Sequence, residues 1–453
     1  MRSAVPKVLH PVCGRPMIAW PVLAARESGA GRIAVIVPPD HDLRPGLPDG
    51  TETVVQPVPD GTGGAVRAAI DLVREAETVL VVPGDHPLVS GEHLTALLDA
   101  HRGGGAAATV MTVELEQPGA YGRVVRDLEG AVARIVETKN PDGVPPDVLA
   151  IREISTSTFA FAAGPLAGAL ERLTNDNTAG EYYLGDVLPL LREDGLGVIA
   201  YAAPDPAANL GVNSRAELAV AAAEARRRIL ERHMLAGVTI TDPAATWIDA
   251  DVEIEADATI EPGSTLRGAT RVGRGSVVGP HTTLIESTLG AETTVIHSYL
   301  RECDVADRCM IGPFAYLRPG AVLRAGAKAG TFVEIKNSEI GEGAKVPHLS
   351  YVGDADVGAG ANLGASTITA NYDGFQKYRT KIGQGARISV HTSLVAPVSV
   401  GDRAYTGAGA VIRKDVPPGA LGVTQAEQRN IEGYAEHKAR RAGEAREEGN
   451  KDR

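Results

Sequence analysis

An aliphatic side chain returns at every sixth position through residues 252–412. Ile254, Ile260, Leu266, Val272, Val278 and Leu284 follow one another without a slip. Val305, Ile311, Leu317 and Leu323 do the same, as do Ile340, Val346 and Val352, and Ile382, Ile388, Leu394 and Val400. A period of six matches neither a helix near 3.6 nor a strand at 2, so the repeating unit is a coil that stacks on the next. This predicts a parallel β-helix. The competing reading, a β-rich sandwich with accidental spacing, fits poorly with a register kept over whole runs. Glycine recurs beside the aliphatic positions, as in Ile311-Gly312 and Val352-Gly353, where a Cβ would obstruct a corner. Such a core needs no aromatics, and they make up only 4% of the chain.

Residues 1 to about 215 follow another rule. Short apolar runs at 33–37, 79–82, 107–113 and 158–161 alternate with helical patterns such as 64–74 and 92–100. That rhythm predicts a doubly wound α/β sheet, whose ligands sit beyond the carboxyl ends of strands. Asp85 lies on a tight turn after one such run. Gln56 and the cluster Gly61-Thr62-Gly63-Gly64 follow another, where backbone N–H groups could face a base or phosphate. Between the halves, residues 215–236 carry no glycine or proline and read as a linking helix begun by Ser214 and ended by Gly237. The division expected is 1–213 for the α/β domain, 214–236 for the helix, 237–415 for the repeats and 416–453 for a charged, frayed tail. The Arg226-Arg227-Arg228 run reads as a solvated face.

A formal charge of −12 argues against a nucleic-acid surface. No apolar run approaches the roughly 18–20 residues that span a bilayer, and the first residues show no signal-peptide pattern. A cytoplasmic location is expected. Cys13, Cys303 and Cys309 lack metal or disulfide spacing and read as buried filler.

In the repeat half, polar residues crowd one interruption of the pattern, from Arg318 to Lys377. A reaction that removes a proton near neutral pH needs a base, and His348 is a candidate. An anionic ligand calls for cations, which Arg318, Lys336 and Lys377 could supply, while Tyr351 and Asn371 could orient that ligand and the histidine. His281, His297 and His391 read as structural; a zinc site of histidines across coils would need spacing that is not evident.

Pro6-Lys7-Val8-Leu9-His10, Gly61-Thr62-Gly63, Gly84-Asp85-x-Pro87-Leu88, Tyr121-Gly122-Arg123, Glu137-x-Lys139, Gly180-Glu181-Tyr182-Tyr183 and Gly211-Val212-Asn213 occur in this order. Joined to hexapeptide repeats, they resemble the bacterial bifunctional N-acetylglucosamine-1-phosphate uridylyltransferase/glucosamine-1-phosphate N-acetyltransferases. The resemblance implies a left-handed solenoid, a homotrimer with acetyl-transfer sites between subunits, and synthesis of UDP-N-acetylglucosamine for the cell wall. It implies Mg2+ with UTP in the first half and acetyl-CoA in the second, the partners being sugar phosphates and nucleotides.

Residue by residue, it assigns Asp85 and Asn213 to the metal and Lys7 to the phosphates. Gln56, Gly61, Thr62, Gly122, Glu137 and Tyr183 fall to UTP and the sugar nucleotide. In the second half it assigns His348 as general base. Arg318, Lys336, Tyr351, Asn362, Asn371, Tyr372 and Lys377 become sugar-phosphate contacts or their support, and Ala408, Val390 and Gln425 the coenzyme positions. Taken without the resemblance, Asp85 also fits a turn residue and Asn213 a helix cap.

The chain departs from the family at several places. Ser155 and Gly185 replace sugar-contacting side chains, Val390 a usual serine, and Gln425 an arginine that reaches the coenzyme phosphates. An apolar strand and Gly-x-Gly-Thr-Arg loop normally precede the residues around Met1, so upstream codons are expected to encode them. Two other readings stay open: a relative with acetyltransferase activity alone, and a non-catalytic scaffold on the same architecture.

Overall fold

The computed structural model describes residues 1–177, 179–206, 211–424 and 427–449. It divides into two compact units, Met1–Ala256 with Pro262–Thr270, and Asp257–Glu261 with Arg271–Arg453.

The first unit holds an α/β domain. Its six-stranded sheet is mixed. The ten-residue strand Glu153–Ala162 runs antiparallel to Thr78–Val81, to Ala108–Glu114 and to Arg123–Arg126, while Val198–Ala202 joins Ala108–Glu114 in parallel. Ala34–Val37 and Glu52–Val55 stand apart as a parallel pair. Ala108, Val110, Phe159 and Phe161 from the sheet pack with Leu166 and Leu170 of the helix Ala163–Arg172 and with Val187, Leu188 and Leu191 of Val187–Glu193. Burying each of the Val, Leu and Phe side chains among these contributes roughly 1.5–3 kcal/mol.

The helix Arg215–Leu235 begins in a reciprocal cap: Ser214 Oγ accepts from Glu217 N–H at 3.1 Å, and Glu217 Oε2 accepts from Ser214 N–H at 2.9 Å. The arginine run on it is not simply solvated. Arg228 reaches Leu88 O and Asp205 Oδ2, both at 2.8 Å, and Arg226 lies 5.4 Å over the Trp247 ring. Its fourfold spacing from Glu224 and its place beside the domain give the charge partners that a one-dimensional pattern does not display.

The repeats form the predicted parallel β-helix. Among the described residues, three parallel sheets of 11, 10 and 9 strands make its faces. Through the interrupted region the first face carries Lys345–His348 and Asn362–Leu363. The second carries Tyr316–Leu317, Glu334–Lys336, Tyr351–Gly353 and Ile368–Ala370, and the third Ala355–Val357 and Thr380–Ile382. Every aliphatic residue of the sixfold register is buried except Ile254, which is half-buried near the start. Between aliphatic layers, buried hydroxyls tie successive coils: Ser276 Oγ donates to Gly290 O at 2.8 Å and accepts from Thr293 N–H at 2.9 Å. Cys13, Cys303 and Cys309 are buried and unbridged, and burial pushes the Cys13 thiol up to about 12.

The tail departs from expectation. Tyr434–Gly449 is a helix, because its Ala, Glu, Lys and Arg content is helix-forming even without an apolar face, and Arg440 and Glu444 pair one turn apart. Among the described residues no helix is long and apolar enough to cross a membrane.

Candidate active sites

In the first unit, strand ends and one helix start converge on a cation. The Lys7 ammonium donates to Asp85 Oδ2 at 2.5 Å and to Asn213 Oδ1 at 2.9 Å. Asp85 is fixed by its backbone, whose carbonyl accepts from Val212 N–H at 3.0 Å. Asn213 is fixed by Glu217 Oε2, which accepts from its N–H at 2.6 Å. Sequence reading gave no role to the neighbouring His86. It is buried, its Nε2 lies 3.7 Å from Asp85 Oδ1, and desolvation holds it well below the ordinary histidine range.

The glycine cluster is tied to the segment before Tyr183. Gly61 takes φ +108°, and a Cβ there would meet Tyr182 O at 2.5 Å. Gly63 N–H donates to Tyr182 O at 2.7 Å, and Thr62 Oγ1 accepts from Leu184 N–H at 3.0 Å. Gln56 donates its amide to Asp60 Oδ1 at 2.8 Å and to Gly61 O at 3.2 Å. Beside them lies the sugar region expected from sequence. Gly122 sits against Glu137 and Ile135, its carbonyl accepts from Ser155 N–H at 2.9 Å, and Gly185 packs on the same Ile135. Burial pushes the Glu137 carboxyl up, and the Asp186 and Glu181 charges add to this against Lys139. Ser155 is buried, and its Oγ accepts from Ser157 N–H at 3.1 Å.

In the second unit, Arg318, Lys336, Tyr351, Asn371 and Lys377 come together on the second face and the excursion that leaves it. Arg318 donates to Glu334 Oε1 at 2.9 Å, which holds its guanidinium above its ordinary range. The neighbouring Lys336 ammonium pushes Lys377 below the usual lysine range, with Arg318 adding to this and Asp354 opposing it. Two ammonium groups held this close favour an anion between them. Tyr351 lays its phenol over Gly353, where a Cβ would strike the ring. The excursion closes on Asn371, whose carbonyl accepts from Tyr378 N–H at 2.8 Å, and Tyr372 faces Lys377 across an isolated bridge.

His348 and Asn362 lie on the first face, and no hydrogen bond or ion pair among the described residues links their side chains to this group. Val390 and Ala408 sit in successive coils, where Gly409 N–H donates to Val390 O at 2.9 Å; both are exposed. Gln425 lies outside the described residues. Sequence reading also missed Asp354, buried at the centre of the cationic group; a lone acid at a small-residue corner was its only signal.

The model of the MobA-like NTP transferase domain matches residues 1–181. Over nearly the whole chain there are curated relatives. The bifunctional protein GlmU of Kineococcus radiotolerans is 49% identical over 96% of this chain and 89% of its own length. That of Streptomyces avermitilis is 45% identical over 97% and 92%. The chain belongs to the GlmU family. A third GlmU, from Mycobacterium bovis, is 43% identical over 97% of this chain and 90% of its own. A match that runs through both units places the GlmU resemblance on the α/β domain and the solenoid alike, and it disfavours a scaffold or a single-activity relative.

Proposed function

We propose that the two sites just described divide the work of one bifunctional transferase. The chain makes UDP-N-acetylglucosamine: it acetylates glucosamine-1-phosphate with acetyl-CoA, then transfers uridylyl from UTP to N-acetylglucosamine-1-phosphate. The observation that carries the assignment of sites is that Arg318 follows and Lys336 ends paired strands of successive coils on one face, with Lys377 on the excursion beside them, which gathers three cations for the sugar phosphate.

In acetyl transfer, these cations hold the phosphate and Tyr351 with Asn371 orients the ring, so that the amine points away from them. His348 takes the amine proton as nitrogen attacks the thioester carbonyl, and the coenzyme thiol leaves. Asn362 and Tyr372 complete the sugar contacts. Val390, Ala408 and Gln425 are assigned to the coenzyme, and the loss of an arginine at Gln425 weakens its hold on phosphate. His348 and Lys336 stand on different faces of one solenoid. A homotrimer, in which a neighbouring copy completes the site, accounts for that separation. The exposed apolar series Phe314, Phe332 and Leu349, with Phe314 and Phe332 stacked at 5.3 Å, supports it.

In uridylyl transfer, Gln56, Gly61 and Thr62 receive the base side of UTP, and Gly122, Glu137 and Tyr183 receive the sugar. The chemistry that Mg2+ would supply when bound is positive charge against the nucleotide phosphates. Asp85 and Asn213 would hold it, and they fit: two hard oxygens already share one cation, that of Lys7, and water with substrate oxygens can supply the rest of a magnesium shell. Lys7, released from Asp85, then screens the incoming phosphate from the α-phosphate. We keep the domain division at 213, 236 and 415 as part of this reading. A cytoplasmic location fits both co-substrates and the three free cysteines.

Two assays test the assignment. Thiol release from acetyl-CoA with glucosamine-1-phosphate should fail in Lys336→Ala with pyrophosphate release from UTP retained, and the reverse should hold for Asp85→Ala. A variant that stops both reactions, or neither, removes its site from the scheme.

A further inference from the structure

Between the strands Tyr351–Gly353 and Ala355–Val357 the chain turns through Asp354 at φ +50°. The corresponding corners of earlier coils, at Glu286, Glu302 and Asn337, share the left-handed backbone and are exposed. Asp354 is only 6% exposed. A carboxylate withdrawn from water is costly unless its oxygens are paired, so its burial calls for a reason.

Both oxygens are used. Oδ1 accepts from Asn337 Nδ2 at 2.6 Å, and Oδ2 accepts from Asn371 Nδ2 and, at 3.4 Å, from the Lys336 ammonium. Burial alone would raise this carboxyl. The amides of Asn337 and Asn371 and the charge of Lys336 outweigh it and hold the group below the usual carboxylate range.

The backbone around it is pinned on every side. Asp354 N–H donates to Lys336 O at 3.0 Å, and Asp354 O accepts from Thr380 N–H at 3.0 Å. Next to it, the buried Thr369 Oγ1 accepts from Gly353 N–H at 2.8 Å and donates to Gly353 O at 2.9 Å. The carboxylate is thus a fixed point, and what it fixes faces substrate. Asn371 is the root on which the excursion carrying Lys377 closes, and Lys336 is one of the gathered cations.

We propose that Asp354 is a positioning residue for acetyl transfer, its buried carboxylate setting the Asn371 amide and the Lys336 ammonium for glucosamine-1-phosphate. This rests on the reading of that site given above. An aspartate is needed because all three partners are donors. An asparagine of the same shape would turn an N–H toward one of them and leave the lysine charges unbalanced.

Asp354→Asn should lower kcat for acetyl transfer about 10- to 100-fold, as misplacement of contacting groups by an ångström does. The KM for acetyl-CoA should stay the same. Because Asp354 acts through Asn371 as well as Lys336, the double variant with Asn371→Ala should lose less than the product of the two single losses. A change in kcat under about twofold, or losses that multiply in the double variant, would overturn the proposal. Should thermal melting show that Asp354→Asn does not fold, Asn337→Ala removes one donor to the carboxylate from the exposed side. It should give a smaller loss that shrinks in the Asn371→Ala background; a loss that persists there undiminished counts against the proposal. His348→Ala and Arg318→Ala serve as controls. If both leave thiol release unaltered, the site itself is misassigned and the proposal falls with it. If both slow the reaction and Asp354→Asn does not, only the role of Asp354 fails.

Discussion

Lys7 Nζ stands 2.5 Å from Asp85 Oδ2, closer than the two residues' 78-residue separation in the chain gives any reason to expect. The pair is about one-quarter to one-third exposed, so water screens it and its worth is functional rather than structural. Its meaning is that the carboxylate assigned to the metal already holds a cation. Asp85→Asn keeps the shape and removes the charge. Uridylyl transfer should fall by about 10²-fold or more, with acetyl transfer unchanged. A loss under about tenfold in pyrophosphate release would take Asp85 out of the metal role.

His348 lies exposed at the end of Lys345–His348, free of hydrogen bonds through its ring to described residues. Nothing in the coil requires an imidazole there. His348→Ala should therefore melt like the parent while acetyl transfer drops by about 10²-fold or more, the usual worth of a general base. Equal thiol-release rates would show that another group takes the proton.

Gly353 leaves room for the Tyr351 phenol, which is the movable end of a side chain rather than backbone. Gly353→Ala should displace that phenol and leave the coil folded. The expected result is a KM for glucosamine-1-phosphate raised several-fold, roughly the loss of one hydrogen bond, with the KM for acetyl-CoA unchanged. If both constants move together, the substitution has disturbed the coil and not the tyrosine.

His233, on the helix Arg215–Leu235, is held down to about 4 by burial and then by Arg232. Its folded-state value lies below the unfolded one near 6.5, so the folded form binds the proton less well. The stability tied to the neutral ring is present above about pH 6.5 and is lost as pH falls through the window toward 4. The parent's melting temperature should drop more between pH 7 and about 4.5 than that of His233→Leu, which has no ring to charge. Equal drops would mean that His233 does not carry this term.

The solenoid was legible residue by residue, because a sixfold register states which side chains point inward whatever the rest of the chain does. Leu317, Ile340 and Val352 were placed in the core by spacing, and they are there. The candidate site residues were legible as types, through polar groups where a plain coil has small ones and through family resemblance. The tail was misread, since helix propensity in Tyr434–Gly449 can act without an apolar face to announce it.

Spacing determined the stacked coils and the change of rule near residue 215, since periodicity is a property of neighbours along the chain. Tertiary structure alone decided that Lys7 meets Asp85 and Asn213, that Lys336 and Lys377 share one place, and that Asp354 is buried where Glu286 and Glu302 are exposed. The reason is physical. A carboxylate's protonation and its burial depend on which donors reach it, and here Asn337 and Asn371 arrive from the coils before and after, 17 residues away in each direction.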